Sequence, residues 1–245
     1  MMLKRSFVIL SLVWLMAPSA RVSAEWFGDL YVGPAFTKSR DLKVDYTALG
    51  LPKYTIKDVN FDTSALFGGR VGHWFEAIPY VGVAIDASHF SPDVSSQSAT
   101  ECPNDGAFCT PGRIKLNISV TAVSFNAMWR WPLLQTKEIP NGRLQPYALV
   151  GPTIFIARRG HLSDNPLQAE SNQSDTRTTL GVQAGGGLAW QFHPNIAVFG
   201  EYRFTHFRSP TFSLRDNLIP SSQDEVADIS LNTHSALFGV SFRFR

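Results

Sequence analysis

Hydrophobic and polar positions alternate with a period of two along most of the chain beyond residue 25. In TLGVQAGGGLAWQF, residues 179 to 192, Leu180, Val182, Ala184, Leu188, Trp190 and Phe192 fall on one side. Gly181, Gln183, Gly185, Gly187, Ala189 and Gln191 fall on the other, which is the pleat of a β-strand. The last segment repeats the pattern, with Phe238, Val240, Phe242 and Phe244 set against Gly239, Ser241 and Arg243. Eight such segments can be read, at 26–38, 62–76, 79–91, 113–131, 143–158, 177–193, 195–208 and 228–245. No 3.6-residue period competes with them over a long stretch.

The connections alternate in length. Long polar stretches follow the first, third, fifth and seventh segments, at 39–61, 92–112, 159–176 and 209–227. Tight turns follow the second and sixth, around Ala77-Ile78 and at His193-Pro194-Asn195, and PLLQTKEIPNG is intermediate. This rhythm describes antiparallel strands with every long loop at one end. The fold class expected is all-β: an eight-stranded antiparallel up-and-down transmembrane barrel with short periplasmic turns and long extracellular loops.

A soluble barrel or sandwich would also alternate, and the tryptophans argue against it. Trp26, Trp74, Trp129, Trp131 and Trp190 all fall at the short-turn ends of their strands, together with Phe75, Tyr80, Phe192, Phe242 and Phe244. Such a belt is what the lipid–water interface selects. The stretch GEYRFTHF, residues 200 to 207, then makes sense: Val198, Tyr202 and Phe204 face lipid while Glu201 and Arg203 face a polar lumen. Arg70, Asp86, Asn126, Arg130, Gln183, Ser241 and Arg243 share the inward parity and are candidate partners. Buried charges there must be paired, either as a structural plug or as a gate around a narrow channel. The fourth segment changes parity near Thr121 to Val123, so a bulge is expected there.

Composition and charge refine this picture. Lys4 and Arg5 precede an apolar run, FVILSLVWLMAP at 7–18, and Val22-Ser23-Ala24 offers a cleavage site. Residues 1–24 therefore read as a secretory signal peptide, leaving 25–245 as one barrel domain. Taking Lys4, Arg5 and Arg21 from the 22 basic residues leaves 19 against 20 acidic ones, a formal charge of −1. That balance argues against a nucleic-acid partner, which calls for a clustered basic excess. Cys102 and Cys109 are the only cysteines, and in an exported chain the pair reads as a disulfide across a short loop. No metal-ligand cluster, phosphate loop or dinucleotide fingerprint is present, so no metal or cofactor is expected.

GEYRFTHF, PYALVGP, GVQAGGGLAW, FNAMWRWP and the terminal LFGVSFRFR together resemble the eight-stranded outer-membrane β-barrel domain of the OmpA-like, opacity-type superfamily. The resemblance spans residues 25–245 and implies a location in the outer membrane of a Gram-negative-type bacterium. The ending is similar to the signal read by the barrel-assembly machinery, with Gly239, Phe242 and Phe244 matching and Arg245 standing where an aromatic is usual. It implies that machinery and periplasmic chaperones as partners during biogenesis, and a monomer in the membrane. The superfamily fixes no single activity.

Three roles stay open on these residues. The first is structural or surface-interacting, through the four extracellular loops. The second is a small solute pore through the lumen. The third is a lipid A-modifying hydrolase, for which His206 and His234 share outward parity on neighbouring strands; the chain lacks the family's His-x-Ser-Asn pattern, reading His206-Phe207-Arg208-Ser209, and Thr205 and Ser235 point inward. No catalytic residue is assigned. Arg158, Arg159 and Arg208 gather at the outer ends of strands, with Arg113, Lys115, His161 and Arg177, where lipopolysaccharide phosphates could bind.

Overall fold

Strands dominate because the alternating segments lack any helical stripe and carry β-branched and aromatic side chains on the face that must meet lipid. The structure, a computed structural model, describes residues 25–45, 54–103, 108–159, 175–209, 212–214, 224–227 and 229–244. Residues 1–24, read above as a signal peptide, lie outside them.

The chain forms β1 (Glu25–Thr37), β2 (Arg40–Asp45), β3 (Tyr54–Val59), β4 (Ser64–Trp74), β5 (Val81–Phe90), β6 (Val94–Pro103) and β7 (Thr110–Leu116). There follow β8 (Ile118–Arg130), β9 (Leu144–Arg159), β10 (Asp175–His193), β11 (Ile196–Ser209), β12 (Phe212–Leu214), β13 (Asp224–Ala227) and β14 (Ile229–Phe244). Eight of these close into an antiparallel barrel in the order β1-β14-β11-β10-β9-β8-β5-β4, with β4 returning to β1. They correspond to the eight segments read from the sequence, except that the start of the fourth, 113–116, belongs to β7.

The remaining strands lie in three of the four stretches read as long loops, with β7 running on into the start of the fourth segment. They form a second, six-stranded sheet in the order β12-β13-β2-β3-β6-β7, above the end of the barrel opposite the short turns. The loop reading is corrected there: stretches such as KVD and YTIKDV are too short to show a period of their own, yet the barrel strands beneath hold them in pairing range.

Inside the barrel the side chains stack in layers. Ionic and amide groups gather at the periplasmic end and in the middle, among buried Phe27, Trp74, Met128, Leu149 and Phe199. The extracellular end is mainly apolar around the hydrogen-bonded Thr37 and Thr233 hydroxyls. Leu66, Phe90, Val120, Ala122, Phe155, Ala157, Phe207 and Leu231 are buried there, and Val59 and Val94 of the second sheet join the same cluster. The packed polar lumen expected from the sequence is therefore concentrated in the lower part, where it is interleaved with apolar side chains. The expected bulge in the fourth segment is also absent, since β8 pairs with β5 in one unbroken register from Val120–Phe90 to Trp129–Val81. What looked like a change of parity is a change of lumen chemistry, from Asn126 and Ser124 up to Ala122, Val120 and Ile118 on the same inward face.

Inward aromatic rings lie flat across glycines on neighbouring strands: Phe27 over Gly72, Tyr31 over Gly68, Tyr147 over Gly187 and Phe199 over Gly239. A β-carbon at Gly68 would stand 2.5 Å from the Tyr31 hydroxyl oxygen. Large rings thus fit a narrow barrel because their neighbours have no side chain.

Candidate functional site

The central layer of the lumen is a network of charges from five strands. Period two sets Asp29 and Tyr31 of β1, Arg70 of β4, Asp86 of β5, Tyr147 of β9, and Glu201 and Arg203 of β11 on the inward face, all of them buried. Arg70 stands directly opposite Asp86 in the register, yet its guanidinium turns the other way. It donates through Nε to Asp29 Oδ2 at 2.8 Å and through Nη1 to Glu201 Oε2 at 2.9 Å. Arg203 donates through Nε to Glu201 Oε1 at 2.8 Å and spans Asp86 with both terminal nitrogens, at 3.2 and 3.1 Å. Tyr31 donates to Asp86 at 2.8 Å and Tyr147 to Glu201 at 2.8 Å. Arg203 also lies over the Tyr31 ring, 4.6 Å from its centroid.

Above this layer the Ser124 and Thr153 hydroxyls share a hydrogen bond of 2.8 Å. Ser124 donates to Gln183 at 3.2 Å, and Gln183 donates to Asn126 at 3.4 Å. Below it lies a basal layer. Glu25 Oε2 accepts from Arg130 at 2.6 Å and from Asn141 at 2.9 Å, and Arg243 Nη1 stands 4.0 Å away. A cavity of about 10 Å³ opens between the basal and central layers, lined by Asp29, Arg70, Arg130, Tyr147 and Arg243 among others. It has room for one water molecule. Asp29 Oδ1 and Arg243 Nε, buried without a hydrogen-bond partner, belong to its lining.

Every lumen residue expected from the sequence thus points inward, and the structure draws Arg70, Asp86, Glu201 and Arg203 into one cluster, Asn126 and Gln183 into a second, and Arg130 and Arg243 into a third. Sequence reasoning missed Glu25, Asp29, Tyr31 and Tyr147. The first three share the parity of Phe27 along the first strand, which was the available signal. Among the described residues, the buried charged side chains are four carboxylates (Glu25, Asp29, Asp86, Glu201) and four guanidiniums (Arg70, Arg130, Arg203, Arg243).

On the outer wall, Trp26, Trp129, Trp131, Trp190, Phe242 and Phe244 are exposed at the short-turn end. Trp74 is the exception and corrects the reading. It is 2% exposed, shares the inward parity of Arg70, stacks on Phe27 at 5.6 Å and lies 4.4 Å from the Arg130 guanidinium carbon. His73 takes the outer position, 4.6 Å from the Trp26 ring. Nearness to a strand end located Trp74 correctly in height, and only parity decides the face.

Arg158 is exposed on the outer face, between Ser119 and Thr176 in the pairing of β8, β9 and β10. The side chains of Arg159 and Arg208 lie outside the described residues. His206 bonds through Nδ1 to Asn232 Oδ1 at 2.6 Å, and His234 Nδ1 to the Tyr202 hydroxyl at 2.6 Å. The two rings stand diagonally, His206 opposite Asn232 and His234 opposite Phe204, and the serine a hydrolase would need is not among these partners. Cys102, near the end of β6, and Cys109, just before β7, are joined by a disulfide. Among the described residues no group of three or more His, Cys, Asp or Glu could hold a metal ion.

Comparison with known proteins agrees with this architecture. OprG of Pseudomonas aeruginosa superposes with a TM-score of 0.52 at 10% identity, covering 92% of this chain and 98% of that one. Neisserial surface protein A gives 0.48 at 10% identity, over 91% and 100% of the two chains. The N-terminal barrel domain of OprF from Pseudomonas aeruginosa gives 0.42 at 11%, over 90% and 97%. The likeness to OprG is one of fold alone. No curated protein matches the sequence. The model of the outer membrane protein beta-barrel domain family matches residues 7–244, and with the closed eight-stranded wall it establishes that the chain belongs to that family of outer-membrane proteins.

Proposed function

We propose that the barrel is a closed, non-catalytic anchor, monomeric in the outer membrane, whose working surface is the six-stranded extracellular sheet. The observation that carries this reading is the sheet itself. Three of the four long connections are spent on one continuous paired surface, which a mere return of the chain would not require. The filled lumen supports it from the other side. Its charges are paired, its upper part is packed with apolar side chains, and the cavity between layers is about 10 Å³.

A pore would use that lumen, so conductance separates the readings. Residues 25–245, refolded into a planar bilayer, are expected to pass no steady current, and Glu201→Gln is expected to leave the bilayer silent as well. A reproducible current in the wild-type chain that Glu201→Gln alters would move the function into the lumen and overturn the anchor reading.

A further inference from the structure

The outer wall carries a second arrangement of polar groups, independent of the sheet above it. From Trp26 to Phe36 along β1 is ten residues. At about 3.3 Å each and a tilt of about 40° they climb roughly 25 Å, the height of a barrel's apolar band. The next outward residue is Lys38. Its backbone N–H donates to the Asn232 carbonyl at 3.0 Å, and Asn232 pairs with His206 on the following strand. Lys38, Asn232 and His206 therefore stand side by side across β1, β14 and β11, one step above the apolar band.

The row beneath is Phe36, His234 and Phe204, in the same register. Phe36 is exposed, and the Phe204 ring lies 5.2 Å from that of His234. A cation, an amide and an imidazole thus lie directly over an aromatic shelf that faces lipid. The imidazole is oriented, because its Nδ1 is bonded to Asn232 Oδ1 at 2.6 Å, which leaves Nε2 and the Asn232 amide N–H groups for a ligand. Lys38 is exposed and forms no ion pair among the described residues. One row lower there is no cation, and its imidazole, His234, is bonded to Tyr202; one row higher there is no aromatic shelf directly beneath.

We propose that Lys38, Asn232 and His206 bind the phosphate of an outer-leaflet lipid, whose acyl chain lies on Phe36 and Phe204. Lys38 neutralises the phosphate, the Asn232 amide donates to one oxygen, and the Nε2 edge of the His206 ring meets another. This goes beyond the sheet as a working surface and stands or falls separately from it.

The test follows the His206 side chain by nitrogen NMR of the full barrel in detergent, with its signal identified by its loss in His206→Gln. Bisphosphorylated lipid A is expected to shift the signal saturably. Lys38→Gln is expected to weaken that binding about tenfold, as for one lost charge-assisted hydrogen bond. Arg158→Gln, on another part of the wall, is expected to leave the shift in place. Dephosphorylated lipid A of the same acyl composition should give little shift, and inorganic phosphate a far weaker one. An equal response to the dephosphorylated lipid would reduce the site to acyl packing and overturn the proposal. An equal response to inorganic phosphate would make it a free-anion site and overturn the lipid assignment, and no shift at all would leave no site.

Discussion

Arg203 shows what a charge needs in order to stay inside this wall. Its guanidinium meets Asp86 on one side and Glu201 on the other, and the Tyr31 ring covers its face. Removing it leaves Asp86 with the Tyr31 hydroxyl alone, a buried carboxylate without its cation. Arg203→Gln should therefore cost about 3–5 kcal/mol of stability, the range for breaking one side of a buried pair. Glu201→Gln should cost less, because Arg70 keeps Asp29 and Arg203 keeps Asp86. Urea unfolding of the two variants in lipid vesicles measures the difference. Equal costs, or the reverse order, would mean that the network distributes its charge differently. Gly68 makes the complementary point: Gly68→Ala would press a methyl against the Tyr31 hydroxyl and disturb the same cluster without touching any charge.

Among the elements, each barrel strand was legible because lipid on one side and packed lumen on the other impose a period-two pattern over ten or more residues. That same pattern delivered Glu201, Arg203, Asp86 and Arg70 to one interior. It carries no information on which partner an arginine chooses: Asp29 and Asp86 both stand directly across from Arg70, which takes Asp29 and the distant Glu201 and leaves Asp86 to Arg203. Trp74 was misplaced because a strand end was read for height and not for face. The second sheet was missed because β2, β3, β12 and β13 have three to six residues each, too few for a pattern, and are held by pairing alone. The disulfide belongs to that sheet. Replacing Cys102 and Cys109 by serine should leave the unfolding midpoint of the barrel unchanged, while protease should cut the β6–β7 hairpin faster. A drop in the barrel's own midpoint would show that the sheet and the wall unfold as one unit.

For the whole molecule, the lumen is closed twice, once by ion pairs and once by apolar packing. Phe155 and Phe207 stack at 4.3 Å in the upper part, well away from the Arg203 cluster. Opening one layer should therefore not open the channel. Glu201→Gln with Arg203→Gln should remain silent in planar bilayers, as should Phe155→Ala with Phe207→Ala. All four substitutions together, in a chain whose folding is confirmed by its gel mobility, should conduct. A current from either pair alone would mean that a single layer forms the seal.

The ion pairs also have a temporal meaning. Glu25 and Arg130 are 105 residues apart, Asp86 and Arg203 are 117 apart, and Arg70 and Glu201 are 131 apart. None of these joins strands that are neighbours in the wall, so no hairpin, and no ribbon zipped strand by strand, can bring them together. Asp29–Arg70 and Glu201–Arg203 can form within one hairpin or one strand. Until β1 meets β14, however, the pairs that cross the lumen must keep their hydration, and the half-built sheet must curl around water. Sealing the seam and drying the interior are then one event, which leaves the assembling chain no dry, half-shut state in which to stall.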